Sequence, residues 1–230
     1  MSQSPPPERP VKIAAYVVGG LLALAALAVL LLPQLERVYA KGPANTGHET
    51  LGCADCHIKA PGTPRQQLQA KAQYWLGRRE ADAAFGHTSV GNPQCTKCHL
   101  RDSDSHPVHR FLEPRFADAR ADLGAQNCVS CHREHQGVRV TAPQTSCKSC
   151  HQELDVKNEP ILNGPSHQQL VAQQAWTTCL GCHDFHGNHK RAAQKQFNDK
   201  YSESAVRDYL AGGASPYGHD MKFPAKKGSQ

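Results

Sequence analysis

The hydrophobic residues of this chain are concentrated in one uninterrupted block near its start, and they are sparse elsewhere. Residues 13–32, IAAYVVGGLLALAALAVLLL, contain no charged side chain. An α-helix of this length is about 30 Å long, which matches the hydrocarbon core of a bilayer. The pattern therefore predicts one N-terminal transmembrane helix over residues 13–32.

The charges that flank this block predict its orientation. Arg9 and Lys12 precede it, and basic residues before a span favour a cytoplasmic N-terminus. We therefore expect residues 1–12 in the cytoplasm, a single pass through the cytoplasmic (inner) membrane, and the remainder in the periplasm. A cleaved signal peptide is the alternative, because Val38-Tyr39-Ala40 loosely resembles a cleavage site, although secretory apolar regions usually run about 7–15 residues.

Beyond the apolar block, the pattern predicts helices joined by loops. We expect a helix over residues 64–85, a short helix over 114–123 that ends at Gly124, and a helical segment over 189–211 before Gly212-Gly213. No segment alternates apolar and polar residues as a half-buried strand would. The expected fold class is mainly α with extensive loops.

Composition changes this picture, because the exported part lacks the residues for an ordinary core. Hydrophobic residues make up 39% of the chain and aromatic residues 6%, whereas there are 10 cysteines and 14 histidines. A chain this poor in Leu, Ile, Val and Phe beyond residue 40 needs another group to fill its interior. The net charge of +6 comes from scattered basic residues, so we expect no nucleic-acid partner.

All ten cysteines belong to five C-x-x-C-H motifs. Residues i and i+3 lie on one side of a helical turn, so two thiols can bond one haem while the next residue, histidine, reaches the iron. The five motifs are Cys53-Ala-Asp-Cys56-His57, Cys95-Thr-Lys-Cys98-His99, Cys128-Val-Ser-Cys131-His132, Cys147-Lys-Ser-Cys150-His151 and Cys179-Leu-Gly-Cys182-His183.

Other uses of paired cysteines explain this pattern less well. Zinc sites do not require a histidine after every second cysteine, and a disulfide framework would not place every cysteine at one short spacing. A thioredoxin-like pair would occur once, near a βαβ pattern. The sequence therefore predicts five covalently bound c-type haems, with their iron, organising residues 48–190.

Nine histidines lie outside the motifs, and five irons need up to five distal ligands. Since Met221 is the only methionine besides Met1, most sites should be bis-histidine. The second histidines of His132-x-x-His135 and His183-x-x-His186 project to the same side as the first, so each should reach a neighbouring haem. The strongest candidates are therefore His135 and His186, then His48 and His167, then His87 and His109, with His106, His189, His219 and Met221 ranked lower.

These motifs and the spare histidines resemble class III multihaem cytochromes c over residues 48–190. The resemblance implies a loop-rich electron carrier with closely packed, low-potential haems. Quinol dehydrogenases of the NapC/NirT type also have one N-terminal anchor, but they carry a methionine just after the first motif, where this chain has Ile58 and Lys59. In architecture the chain is similar to the pentahaem subunit of alternative complex III.

The expected function is electron relay without substrate chemistry, because two histidines saturate each iron. A membrane quinol-oxidising protein or respiratory complex would be the donor, and a periplasmic redox protein the acceptor. The alternatives are a multihaem reductase of a small oxyanion such as nitrite, or a haem subunit of a larger respiratory complex. Around the pentahaem domain we expect a linker over 33–47, a C-terminal helical segment over 191–214 and a flexible tail over 215–230.

Overall fold

The computed structural model describes residues 8–32, 41–154, 156, 163–192 and 194–226. The chain divides into two compact units, Met1–Pro43 and Ala44–Gln230. Residues 1–7, most of the expected linker, the Val38-Tyr39-Ala40 sequence and residues 227–230 lie outside the described residues.

The described part of the first unit contains one long helix, α1 (Glu8–Leu31). Its segment Pro10–Val29 has a mean hydropathy of 2.1, and none of it is buried within the protein. Apolar side chains such as Leu22, which is 66% exposed, project outward. Helix α1 is therefore long and apolar enough to cross a membrane, which confirms the helix that the sequence predicts.

The second unit is built from short helices and turns. Its described residues contain no strand, and only two isolated bridges occur, Lys59 with His87 and His189 with Met221. The mainly helical, loop-rich class is confirmed. The α-helices are α2 (Cys53–Cys56), α3 (Pro64–Trp75), α4 (Asn92–Thr96), α5 (Ala117–Leu123), α6 (Cys128–Cys131), α7 (Lys148–His151), α8 (His167–Ala172), α9 (Cys179–Cys182) and α10 (Glu203–Leu210). The 3-10 helices are Val108–Leu112, Pro114–Phe116, Gln144–Cys147, Trp176–Thr178 and Phe197–Asp199.

Helix α3 begins where the sequence predicts and ends ten residues early. Thr63 and Gln66 form a reciprocal capping box at its start. At its end the backbone turns through Gly77, whose φ of 68° is a left-handed conformation that favours glycine. The prediction of a helix over 64–85 was therefore wrong beyond Trp75.

The short helix predicted over 114–123 is confirmed. A 3-10 turn over Pro114–Phe116 leads into α5, and Gly124 ends the helix with a left-handed φ of 61°. The guanidinium of Arg120 donates hydrogen bonds to the carbonyls of Phe111 and Glu113, at 2.6 and 2.8 Å. These bonds fix the preceding 3-10 segment against α5.

The helix predicted over residues 189–211 is mostly absent. Among the described residues of this range, 189–192 and 194–211, only the turn Phe197–Asp199 and helix α10 form. Residues at the start of this range bond instead to the C-terminal region, since the Lys190 amide donates to Asp220 and the Lys222 amide to Asn188, both at 2.8 Å. A tertiary contact has thus replaced the local helix.

The C-terminal segment packs against the same unit, contrary to the expected free tail. Tyr217 is 5% exposed, and its hydroxyl donates to the Leu180 carbonyl at 2.5 Å. Its ring contacts those of Tyr201 and Tyr209. Further on, the Lys226 amide donates to the Cys98 carbonyl at 2.9 Å. Residues 191–226 therefore belong to the compact unit rather than to a separate segment and tail.

Few apolar side chains are buried in the described interior, as the composition predicts. Large hydrophobic residues such as Trp75 and Phe85 are 72% and 57% exposed. The buried hydrophobic residues are Ala60, Ala83, Ala119, Val206 and Tyr217. Such a core contributes little hydrophobic stabilisation to a unit of this size.

Because Tyr217 is the largest of these buried residues, we expect Tyr217→Ala to lower the free energy of unfolding by about 3 kcal/mol, the usual cost of removing a buried aromatic ring. Tyr74→Ala is the matched control, since Tyr74 is 37% exposed, and should cost about 0.5 kcal/mol or less. Denaturant unfolding followed by circular dichroism measures both. Equal effects would contradict the packed position of the C-terminal segment.

Candidate metal and cofactor sites

Each C-x-x-C-H motif folds as a turn of helix that places the two thiols on one side. In four motifs the histidine amide donates to the carbonyl of the first cysteine, closing the turn. These bonds are His57 to Cys53 at 2.8 Å, His99 to Cys95 at 3.0 Å, His132 to Cys128 at 2.9 Å and His183 to Cys179 at 2.8 Å. The remaining motif lies across the 3-10 helix Gln144–Cys147 and α7.

Every motif histidine has a second imidazole ring about 6 Å away. Among the pairs, the distance between ring centres varies only from 5.8 to 6.3 Å. The pairs are His57 with His135 at 6.3 Å and with His87 at 5.8 Å, His99 with His48 at 5.8 Å, His132 with His186 at 6.0 Å, His151 with His106 at 6.1 Å, and His183 with His167 at 6.1 Å.

This spacing fits two imidazoles that share one metal ion. A metal–nitrogen bond is about 2 Å long and the nitrogen lies about 1 Å from its ring centre, so opposed ligands have ring centres about 6 Å apart. No group of three or more His, Cys, Asp or Glu side chains in the described ranges is arranged to hold a metal ion. A haem iron requires only two protein ligands, which is what each pair offers.

The partners of the motif histidines come from other parts of the chain. His135 lies beside His57 and His186 beside His132, so each is paired with a motif histidine other than the one three residues before it. His48 precedes the first motif and contacts the histidine of the second. The pairs therefore connect segments that are distant in sequence.

His87 reaches His57 from a neighbouring extended segment. The Thr88 amide donates to the Ile58 carbonyl at 2.8 Å, and Lys59 forms an antiparallel bridge with His87. Alternate residues on paired segments project to one face, so His87 lies beside His57 on that face. His135 approaches His57 from a separate segment, with ring centres 6.3 Å apart and planes 25° apart.

Several of these rings are oriented through Nδ1 by backbone carbonyls. A carbonyl only accepts, so Nδ1 carries the hydrogen and Nε2 is left with its lone pair available to a metal. The bonds join His57 to Thr88 at 3.1 Å, His132 to Arg139 at 2.9 Å, and His106 to Phe185 at 2.6 Å.

Two other rings are oriented by carboxylates. His48 Nδ1 lies 2.7 Å from Glu134, and this hydrogen bond raises the pKa of His48 above its ordinary value. His186 Nδ1 lies 3.0 Å from Asp104. Burial raises the pKa of Asp104, but the His186 hydrogen bond and nearby positive charges outweigh burial, so its pKa is below the ordinary value. Burial raises the pKa of Glu134 as well, but its hydrogen bonds with His48 and the Asn45 amide outweigh burial, so its pKa is also below the ordinary value. Both carboxylates are therefore ionised near neutral pH.

The segments that carry His106 and His186 are bound to each other. The Ser105 amide donates to the His186 carbonyl at 3.2 Å. Phe185 stacks on His106, with ring centres 4.2 Å apart and planes 14° apart, and contacts His186 edge to face at 5.0 Å. This crossing places the partners of the third and fourth motif histidines side by side.

Neighbouring motifs approach closely through their thiols. The Cys95 and Cys128 thiols interact by a hydrogen bond, which raises the pKa of Cys95 and lowers that of Cys128. Cys147 and Cys179 form a similar pair, which lowers the pKa of Cys147 and raises that of Cys179. The second and third motifs are therefore adjacent, as are the fourth and fifth.

The remaining histidines have other surroundings. His109 and His219 are exposed, and the described structure shows no ring contact of either with a motif histidine. His189 is 5% exposed, with Nδ1 2.8 Å from Asp184 and Nε2 3.2 Å from the Ser215 hydroxyl. Both of its ring nitrogens are engaged, so its role is structural.

His106 is a candidate ligand that the sequence ranked below His109. It contacts His151, whereas His109, which was preferred, lies in the exposed 3-10 helix Val108–Leu112. No local signal separates two histidines three residues apart in an irregular segment. What distinguishes His106 from His109 is its tertiary contact with Phe185.

Comparison with protein-family models, curated proteins and solved structures returned no match for this chain. The candidate sites therefore depend on the motifs and on the geometry described above.

In the haem-loaded protein that the motifs predict, His106→Ala should open one axial position of one iron, because the ring opposite His151 is removed. A high-spin signal and binding of carbon monoxide at one haem are the expected results. His109→Ala is the matched control and should leave the spectra unchanged. The reverse result, with His109→Ala opening a site, would contradict the pairing.

Proposed function

We propose that this chain is a membrane-anchored pentahaem c-type cytochrome that relays electrons and has no substrate chemistry of its own. The observation that carries this proposal is the repetition of one arrangement at all five motifs. Each offers two thiols on a helical turn, a histidine beside them, and a second imidazole about 6 Å from the first. When bound, each haem supplies an iron that cycles between the ferric and ferrous states by one electron.

The chain's own residues would hold the cofactor covalently and fill its axial positions. The cysteines of each motif would form thioethers to one haem, and the motif histidine would be the proximal ligand. We assign the distal ligands as His135 opposite His57, His48 opposite His99, His186 opposite His132, His106 opposite His151 and His167 opposite His183.

This pairing supports an electron carrier over a reductase. A reductase of a small oxyanion needs one iron with an open position, because its substrate binds there. All five motif histidines have a second imidazole ring whose centre is 5.8 to 6.3 Å away, and we propose that it fills the distal position. The closeness of successive motifs, at Cys95 with Cys128 and at Cys147 with Cys179, also suits transfer between neighbouring sites.

The anchor supports a place at the cytoplasmic membrane. Helix α1 meets the length and hydropathy that a span requires, and Arg9 and Lys12 favour a cytoplasmic N-terminus. We propose that the haem domain lies in the periplasm. There it would accept electrons from a membrane quinol-oxidising protein or respiratory complex and pass them to a periplasmic redox protein. The same architecture would suit a subunit comparable to the pentahaem subunit of alternative complex III.

The direct test of the proposal is the number of covalently bound haems. Whole-protein mass spectrometry of the chain purified from membranes, after acid–acetone extraction of loose haem, should show five haem additions. A Cys179→Ala, Cys182→Ala double variant should show four, because one pair of thioethers is removed. Fewer than five additions in the unaltered protein would contradict the proposal.

The anchor gives a second test. Replacing residues 1–33 with a cleavable signal should yield a soluble protein with all five haems, and the full chain should stay with membranes after a high-salt wash, because salt does not displace a buried apolar helix. Reduction by quinol-fed membranes should be much slower for the soluble form, since tethering raises the effective concentration. Equal rates would contradict a membrane electron source.

A further inference from the structure

A single segment of four residues brings three of the candidate sites together. His132 is the histidine of the third motif, Glu134 bonds to His48 at 2.7 Å, and His135 lies against His57. These contacts link the third motif, the site of the second motif and the site of the first motif. Glu134 lies inside this segment and is not one of the iron ligands that we propose.

Asn45 fixes this segment in place. It is 3% exposed, and its side chain donates to the Arg133 carbonyl at 2.9 Å and accepts from the Gln136 amide at 3.1 Å. These bonds hold His135 at a φ of 64°, a conformation that residues other than glycine seldom adopt. Glu134 is therefore placed by a rigid support rather than by a free side chain.

Both oxygens of Glu134 are used in this support. Oε1 lies 2.7 Å from His48 Nδ1, and Oε2 accepts from the Asn45 amide at 3.2 Å. Among the ion pairs of the described residues, Glu134 pairs with His48. Asp104, the corresponding carboxylate on His186, also has Arg101 at 3.6 Å. Arg101 partly offsets the negative charge of Asp104, so the charge of Glu134 acts more fully on its own imidazole partner, His48.

We propose that Glu134, acting through His48, lowers the reduction potential of the iron site that His48 and His99 hold. A carboxylate that accepts the Nδ1 hydrogen increases the electron donation of Nε2, and a stronger donor favours the ferric state. This inference rests on the proposed function. It adds that the reduction potential of one site in the relay is set by a residue that is not an iron ligand.

The test is Glu134→Gln in the full chain purified from membranes. Gln accepts a hydrogen bond but carries no charge, so its hold on the ring is kept while electron donation falls. Mutation of a partner of a metal-bound histidine commonly costs about 10–100-fold in metal affinity or activity. We expect one of the five one-electron components in a spectroelectrochemical titration to rise by at least the equivalent of a tenfold change, which is about 59 mV.

Glu49→Gln is the matched control. Glu49 is next to His48 in sequence and exposed, but its carboxylate accepts from the Gly47 amide at 2.9 Å and not from the imidazole. Removing the charge of Glu49 should leave the reduction potentials of all five components unchanged. Electron paramagnetic resonance should also show altered g-values for one low-spin iron in Glu134→Gln and for none in Glu49→Gln.

The outcomes separate this inference from the proposed function. Unchanged potentials in Glu134→Gln, equal shifts in both variants, or conversion of one site to high spin would each overturn the inference and leave a five-haem carrier in place. The last result would mean that Glu134 only holds the ring. Fewer than five haems in the unaltered protein would instead overturn the proposed function.

Discussion

Under the haem ligation that we propose, one constraint governs the arrangement of the histidine rings: two imidazoles that share an iron must approach it from opposite sides. Residues on the same turn cannot meet this requirement, so each motif histidine needs a partner from elsewhere. The chain satisfies it with segments far apart in sequence, as in His48 with His99 and His132 with His186. In our account these pairs determine the path of the backbone more than any apolar core does.

Apolar residues are scarce in the described interior because the sequence beyond residue 40 contains few of them. Val206 is the only large side chain that is fully buried in the described structure, and the helices that carry the motifs are single turns. These turns are held in position by backbone hydrogen bonds. They are also held by the contacts of Asn45 with residues 133–136 and by the crossing of residues 104–106 with residues 185–186. In our proposal the five haems complete an interior that the side chains leave unfilled.

The sequence predicted the features whose cause is local. The C-x-x-C-H turns, helix α1 and the short helix ended by Gly124 all follow from spacing, hydropathy or a single glycine. Features that depend on distant contacts were not predictable. The helix expected over residues 189–211 gave way to bonds with the C-terminal segment, and the burial of Tyr217 had no sequence signal.

The same distinction applies to the candidate site. Helical geometry predicted that His135 and His186 serve haems other than their own. The structure places His135 beside His57 of the first motif and His186 beside His132 of the third motif. The choice of His106 over His109 could not be predicted from helical geometry, because it depends on Phe185 and on the crossing of two loops. The hydrogen bonds of Glu134 to His48 and of Asp104 to His186 also could not be predicted, since the partners lie far apart in sequence.

The measurement that tests the central claim most directly is an experimental density map of the haem-loaded protein that resolves the axial ligands. We expect His48, His106, His135, His167 and His186 opposite the five motif histidines, each iron lying between two imidazoles. An iron with an empty distal side, or one ligated by His87, His109 or His219, would contradict this account.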